Sequence, residues 1–155
     1  KKKKKLGVDF GLRYEALDWL YFYGDANYTY ARSTEEPNGE DYIPLAPDFT
    51  STGGIAFENL ANFSGGLNYR FIKDRAANED KSIIAEGYFV TDFNINYTFK
   101  NFVFGIAIEN LFDTEWNETQ FATESRLFDE PEAVEEIHFT PGTPFFLRGK
   151  VTVNF

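Results

Sequence analysis

The sequence contains no cysteine, which excludes disulfide frameworks, thiolate metal sites and cysteine nucleophiles. Its single histidine, His138, excludes a metal centre built on several imidazoles. Methionine is also absent, initiator included, as in a processed chain or an excerpt of a longer one. Basic residues are scarce: 15 Lys and Arg stand against 25 Asp and Glu, for a net charge of −10. Nucleic-acid binders carry a basic surface, so no nucleic-acid partner is expected. No apolar run approaches the ~20 residues of a transmembrane helix. No charged start followed by an apolar h-region marks a signal peptide. A helical stripe is missing too; the nearest candidate, 129–137, is acidic and broken by Pro131.

Aromatic residues, by contrast, are abundant. There are 18 Phe and 9 Tyr, yet the mean hydropathy is −0.41, so apolar and polar groups must be interleaved. The interleaving has period two. Val8, Phe10, Leu12 and Tyr14 alternate with Asp9, Gly11, Arg13 and Glu15. The same alternation runs through 20–30, 53–58, 63–71, 89–99, 102–109 and 145–155. It is the pattern of half-buried strands and predicts an all-β chain, an antiparallel up-and-down meander of about seven strands. Connections alternate between short (16–19, 59–62, 100–101) and long (32–49, 73–87, 111–144). Short turns at one end and long loops at the other are the habit of strands that cross a bilayer, and strands of about 9–12 residues suffice for a tilted crossing.

One face of these strands is nearly pure Phe, Leu, Ile, Val, Tyr and Gly; the other carries Asp, Asn, Thr, Arg and Lys. A soluble sandwich would turn the first face inward, and a large membrane barrel would turn it toward lipid. Periodicity alone does not separate these arrangements. Aromatics near strand ends (Tyr14, Tyr28, Tyr30, Phe71, Phe89, Phe99, Phe102, Phe145, Phe155) and Trp19 at a short turn fit interfacial girdles. Aromatics also favour strands of any kind.

Two blocks carry a more specific signal. Gly87-Tyr88-Phe89-Val90-Thr91-Asp92 opens a strand, and Phe104-Gly105-Ile106-Ala107-Ile108-Glu109-Asn110-Leu111-Phe112-Asp113-Thr114-Glu115-Trp116 closes the next. Together they resemble the C-terminal end of TonB-dependent outer-membrane receptors. Ile43–Asp48 is similar to the family's "PLAP" return into a strand, His138–Pro144 to its entry into the last strand, and Phe155 to its terminal aromatic. Phe145 stands where the family often has Arg, and Trp116 where Tyr is usual. The resemblance covers 6–155. It implies the C-terminal portion of a transmembrane β-barrel of about 22 strands, in the outer membrane of a Gram-negative bacterium. It further implies a substrate importer for a metal chelate, cobalamin or glycan, and not an enzyme. The expected partners are outer-membrane lipid, the barrel-assembly machinery, the remaining barrel strands and plug, and TonB, reached through an N-terminal region that this chain does not show. No cofactor is expected. Lys1–Lys5 read as an appended tail or placeholder letters and are left outside the fold.

Other readings of the residues stay open. A self-contained small outer-membrane barrel would need an eighth strand, best placed at Ala133–Thr140. A soluble β-barrel binding a small apolar ligand is the other alternative. Loop aromatics Tyr42, Phe49, Trp116, Phe121 and Phe128 are the candidates for contact with a ligand. Val151, Val153 and Phe155 form the readable face of a barrel-insertion signal, offered on a free strand edge. The long loops are acidic, with Glu35, Glu36, Glu40, Asp41 and Asp48 in one and nine carboxylates in 111–144. They lack EF-hand spacing and read as a solvated surface, with no metal site expected. Ser125, Asp129 and His138 share one loop, but no pocket or oxyanion donor is legible around them, so no catalytic residues are expected.

Overall fold

The computed structural model describes residues 2–155; Lys1 lies outside the described residues. Its strands are β1 (Lys3–Leu17), β2 (Leu20–Ser33), β3 (Phe49–Leu60), β4 (Phe63–Ile72), β5 (Arg75–Ala76), β6 (Ile84–Ala85), β7 (Tyr88–Phe99), β8 (Phe102–Glu109), β9 (Asn117–Ser125), β10 (Val134–Pro141) and β11 (Phe146–Val153). Seven of them make one sheet in the order β1-β2-β3-β4-β7-β8-β11. Every neighbouring pair is antiparallel, as the meander predicts. β1 and β11 stand at its two open edges.

Register keeps the two chemistries apart. Tyr14, Phe22, Ile55, Leu67, Phe93, Ile108 and Leu147 form one apolar row across all seven strands. A slip of one residue in any pair would turn a strand's Phe and Ile onto the charged face, so the alternation itself specifies the register. The opposite face is held by polar cross-strand pairs. Arg13 meets Asp25 at 2.8 Å, Arg70 meets Asp92 at 3.4 Å and Arg148 meets Glu109 at 3.1 Å. Tyr23 donates its hydroxyl hydrogen to Asn68, and Asn27 donates to Asp9.

The apolar face is bare. Val8 is 68 % exposed, Phe10 63 % and Val151 63 %. Among the described residues the buried apolar side chains are Ala31, Ala76, Ala77, Ala85 and Val90, far too little volume for the core of a water-soluble domain. What stabilises this sheet is therefore backbone pairing plus whatever covers the apolar face, and hydrocarbon is the medium that suits it.

At one end the strands turn in two residues each: Asp18–Trp19, Ala61–Asn62 and Lys100–Asn101. Ala61 (φ 51°) and Asn62 (φ 70°) both adopt left-handed backbone, the geometry whose twist matches paired strands. The other end carries the long connections, which hold more structure than the sequence pattern suggests. β5 and β6 form a small ladder inside 73–87. β9 and β10 form a hairpin inside 110–145. Val134–Pro141 is thus a strand close to where the small-barrel alternative needs one, but it pairs with Asn117–Ser125 and does not join the wall. Lys3, Lys4 and Lys5 do not stand outside the fold as a tail would: they continue β1 and pair with Ser33, Arg32 and Ala31.

Candidate functional site

The long-loop end is organised by Asn110, the residue that follows β8. It is 1 % exposed and has left-handed backbone (φ 51°), which Asn tolerates better than most residues. Its side-chain amide nitrogen donates to Thr114 O (2.8 Å) and Thr143 O (3.0 Å), and its amide oxygen accepts from Thr114 N (2.9 Å). Its own N–H donates to the Asp92 carboxylate at 2.9 Å. Asp113, also left-handed, accepts from Phe145 N at 2.9 Å. The Glu109–Trp116 block is thus a staple that fastens the ends of β7, β8 and β11 beneath the loops.

The staple sets Trp116. Its indole N–H donates to Thr143 O at 3.0 Å, its ring lies 4.7 Å from that of Tyr88, and the Arg70 guanidinium sits 5.4 Å from the ring centre. Gly142 packs flat against the indole: a Cβ there would stand 2.1 Å from Trp116 Cε2. We expect Gly142→Ala to displace the indole from Tyr88 and Arg70. In a Trp19→Phe background the tryptophan emission maximum should move; an unchanged spectrum would show that the ring had not shifted. A hollow of about 590 Å³ opens beside Trp116, with Glu86, Asp113, Glu115 and Phe139 in its lining.

A second hollow, of about 540 Å³, lies where the three long connections meet and is lined by Glu36, Glu40, Glu79, Asp80 and Glu135. Asn78 ties two of these connections together, donating to Glu135 at 3.3 Å. Asp80 accepts from the Ser82 N–H (3.0 Å) and hydroxyl (2.8 Å), and these hydrogen bonds hold its pKa below the ordinary carboxylate value. Burial lowers the pKa of Arg75 in the same connection. Among the described residues no three acidic or imidazole groups converge as metal ligands would.

The five loop aromatics fall in different places. Trp116 lines the 590 Å³ hollow. Phe121 lies over His138 in the β9–β10 hairpin, ring centres 5.9 Å apart, and Phe128 at the hairpin tip is 98 % exposed. Tyr42 is clamped between Arg32 (4.2 Å) and Lys81 (5.3 Å). Phe49 stands on the apolar face, opposite Tyr28 and against Phe71. The structure brings Ser125 to His138 (3.2 Å) and to Glu136 (3.1 Å) in the β9–β10 hairpin. Asn110 and Gly142, which position everything above, lie within motifs the sequence supplied but carry no mark of their structural role. Val151 is 63 % exposed and Val153 41 % on the free edge strand β11, with Phe155 exposed beyond it.

Residues 2–111 match the family model described as "TonB dependent receptor-like, beta-barrel". A search of curated proteins finds no match. Among solved structures, the chain is similar to the ferric yersiniabactin uptake receptor FyuA from Yersinia pestis, with a TM-score of 0.74 and 11 % identity over 99 % of this chain and 24 % of that one. It is similar to the siderophore receptor PiuA from Acinetobacter baumannii, with a TM-score of 0.73 and 16 % identity over 97 % of this chain and 22 % of that one. It is similar to the copper transporter OprC, with a TM-score of 0.72 and 18 % identity over 99 % of this chain and 24 % of that one. The chain therefore spans about a quarter of the length of these solved proteins. At such identities the likeness speaks for the fold; the family model, which covers well over half of the sequence, speaks for descent. The chain belongs to the TonB-dependent receptor-like β-barrel family, whose members are transport receptors of the Gram-negative outer membrane.

Proposed function

We propose that the chain forms the C-terminal part of the barrel wall, with three outer loops, of a TonB-dependent uptake receptor in a Gram-negative outer membrane. The observation that carries this reading is the continuous apolar row from Tyr14 to Leu147, exposed on one face and backed by ion pairs on the other. Further strands of the parent chain complete the wall at the open edges of β1 and β11, and outer-membrane lipid covers the apolar face. A plug domain and TonB supply the coupling to energy. The free edge of β11, with Val151, Val153 and Phe155, is offered to the barrel-assembly machinery during insertion.

The solute is a metal chelate, cobalamin or a glycan. The carboxylates around both loop hollows repel strongly anionic solutes and favour neutral or cationic ones that present hydrogen-bond donors. Trp116, Phe121 and Phe128 offer stacking faces on that side, and Trp116 is the best positioned because its ring is already ordered. The Tyr42 and Phe49 rings hold the loop base and the lipid boundary. The test is growth of the native host on single scarce solutes with the full receptor carrying Trp116→Ala. Uptake of one solute should fall about tenfold, the loss of one aromatic contact worth ~1.5 kcal/mol, while folded receptor in the outer membrane stays constant. Folded receptor found outside the outer membrane would overturn the assignment, and unchanged uptake of every solute would remove Trp116 from the site.

A further inference from the structure

The apolar face is not uniform. Near the long-loop end its row runs Leu12, Gly24, Gly53, Tyr69, Thr91, and the small residues Gly24 and Ala26 leave a gap where neighbouring rows carry aromatic and aliphatic side chains. The result is a groove of about 580 Å³, within the range of small-molecule sites, walled by Phe10, Phe22, Ile55, Leu67 and Phe89. Phe112, two residues past Asn110, also lines it.

Thr91 lines this groove and is 3 % exposed, and its hydroxyl has no hydrogen-bond partner. Buried hydroxyls are nearly always paired, so an orphan is a place where a missing partner belongs. The two other hydroxyls beside it are spoken for, because Ser51 Oγ and Tyr69 Oη lie 2.9 Å apart. Depth decides what the partner is. Phe71 and Phe89 stand one row closer to the long loops than Thr91, and Tyr28 and Phe49 one row beyond them, so an aromatic band lies above Thr91. Such a band marks the boundary between hydrocarbon and headgroups. A group just below it meets the ester linkages of a lipid, and the apolar channel running from it meets an acyl chain.

We propose that this groove is a binding site for a single ester-linked membrane lipid, one acyl chain lying over Gly24 and Ala26 and its ester carbonyl accepting a hydrogen bond from the Thr91 hydroxyl. The inference rests on the lipid-facing reading of the apolar face, which Ile106, on the same face but outside the groove, reports separately.

The full receptor is reconstituted in vesicles of phosphatidylethanolamine and phosphatidylglycerol doped with phosphatidylethanolamine that carries a diazirine in one acyl chain, then irradiated, and the labelled peptides are quantified. Label should concentrate on the peptides holding Gly24 and Thr91, above the level at Ile106. Gly24→Leu places a side chain in the groove, and its Cβ meets nothing nearer than Thr52 O at 3.8 Å. That variant should bring groove labelling down to the Ile106 level, and Gly24→Ala provides a milder step if folding suffers. Thr91→Val should lower groove labelling about fivefold, the worth of one hydrogen bond. Even labelling over Gly24, Thr91 and Ile106, or labelling indifferent to both substitutions, overturns the proposal while leaving the membrane face intact. An absence of label at Ile106 overturns the membrane face itself. A second copy of the chain seated in the groove would appear as a dimer with Gly24 unlabelled, and would overturn the lipid as occupant.

Discussion

Asn110→Leu should destabilise the folded barrel by about 3–5 kcal/mol. The wild-type side chain makes three hydrogen bonds at a site sealed from water. Each is worth ~1 kcal/mol net, and each buried group left unpaired costs ~1–3 kcal/mol more. Leucine restores none of them, strands Thr114 N–H and Thr114 O, leaves Thr143 O only the Trp116 indole as donor, and is forced into left-handed backbone. Because folded proteins hold only ~5–15 kcal/mol in reserve, such a loss removes a large share of it. Asn110→Gly keeps the backbone geometry and opens space for water, so it should cost clearly less. Urea midpoints of the heat-modifiable, folded band measure both variants. A shift for Asn110→Leu smaller than about 1 kcal/mol, the worth of a single hydrogen bond, would show that the staple does not hold the mouth together.

Ile55→Lys and Ala56→Lys should differ sharply although the positions are neighbours. Ile55 lies mid-row on the apolar face, between Phe22 and Leu67. A lysine there places its charge toward hydrocarbon near the middle of the crossing, at a cost of ~2–4 kcal/mol. Ala56 faces the other way, opposite Gly66 and near Asn94, where the ammonium reaches the wet side of the wall. The amount of folded receptor recovered from outer membranes should fall steeply for the first and stay close to wild type for the second. The reverse order would mean that Ile55 faces water and that Ala56 faces the apolar medium, and would overturn the assignment of the two faces.

The wall was legible in the sequence because a strand's two faces alternate residue by residue, and a face that meets a uniform medium must be chemically uniform. Val8 to Tyr14 and Phe102 to Ile108 declare themselves for that reason. Which medium covers them is not legible, since a core and a bilayer ask for the same side chains; the exposure of Val8, Phe10 and Val151 shows that this chain does not cover them itself. Lys3–Lys5 misled because a run of one residue has no alternation to read, while pairing with β2 extends the strand regardless of side chain. Of the β9–β10 hairpin, Ala133–Thr140 was legible only as the extra strand of a small barrel; the pairing with Asn117–Ser125 was not, because Glu135 and Glu136 occupy both faces of β10 and mask period two. At the loop end the sequence singled out Trp116 for its chemistry and Glu109–Trp116 as a motif. It gave no hint that Asn110 is the buried node, because burial there comes from residues 92, 114 and 143 meeting in space.

The backbone ladder of the β9–β10 hairpin stands apart from the wall, and its side chains Gln120 and Glu135 tie it only to the neighbouring connection, at Glu86 and Asn78. Its length and composition can therefore drift without disturbing a single rung of the wall ladder. A lineage that duplicates such a gene can rewrite what the mouth recognises while inheriting an assembly route already proven. The two-residue turns at the opposite end have no such licence: an insertion between Ala61 and Asn62 changes the twist of the hairpin and shifts every pair above it. Innovation in this molecule is confined by its architecture to one rim.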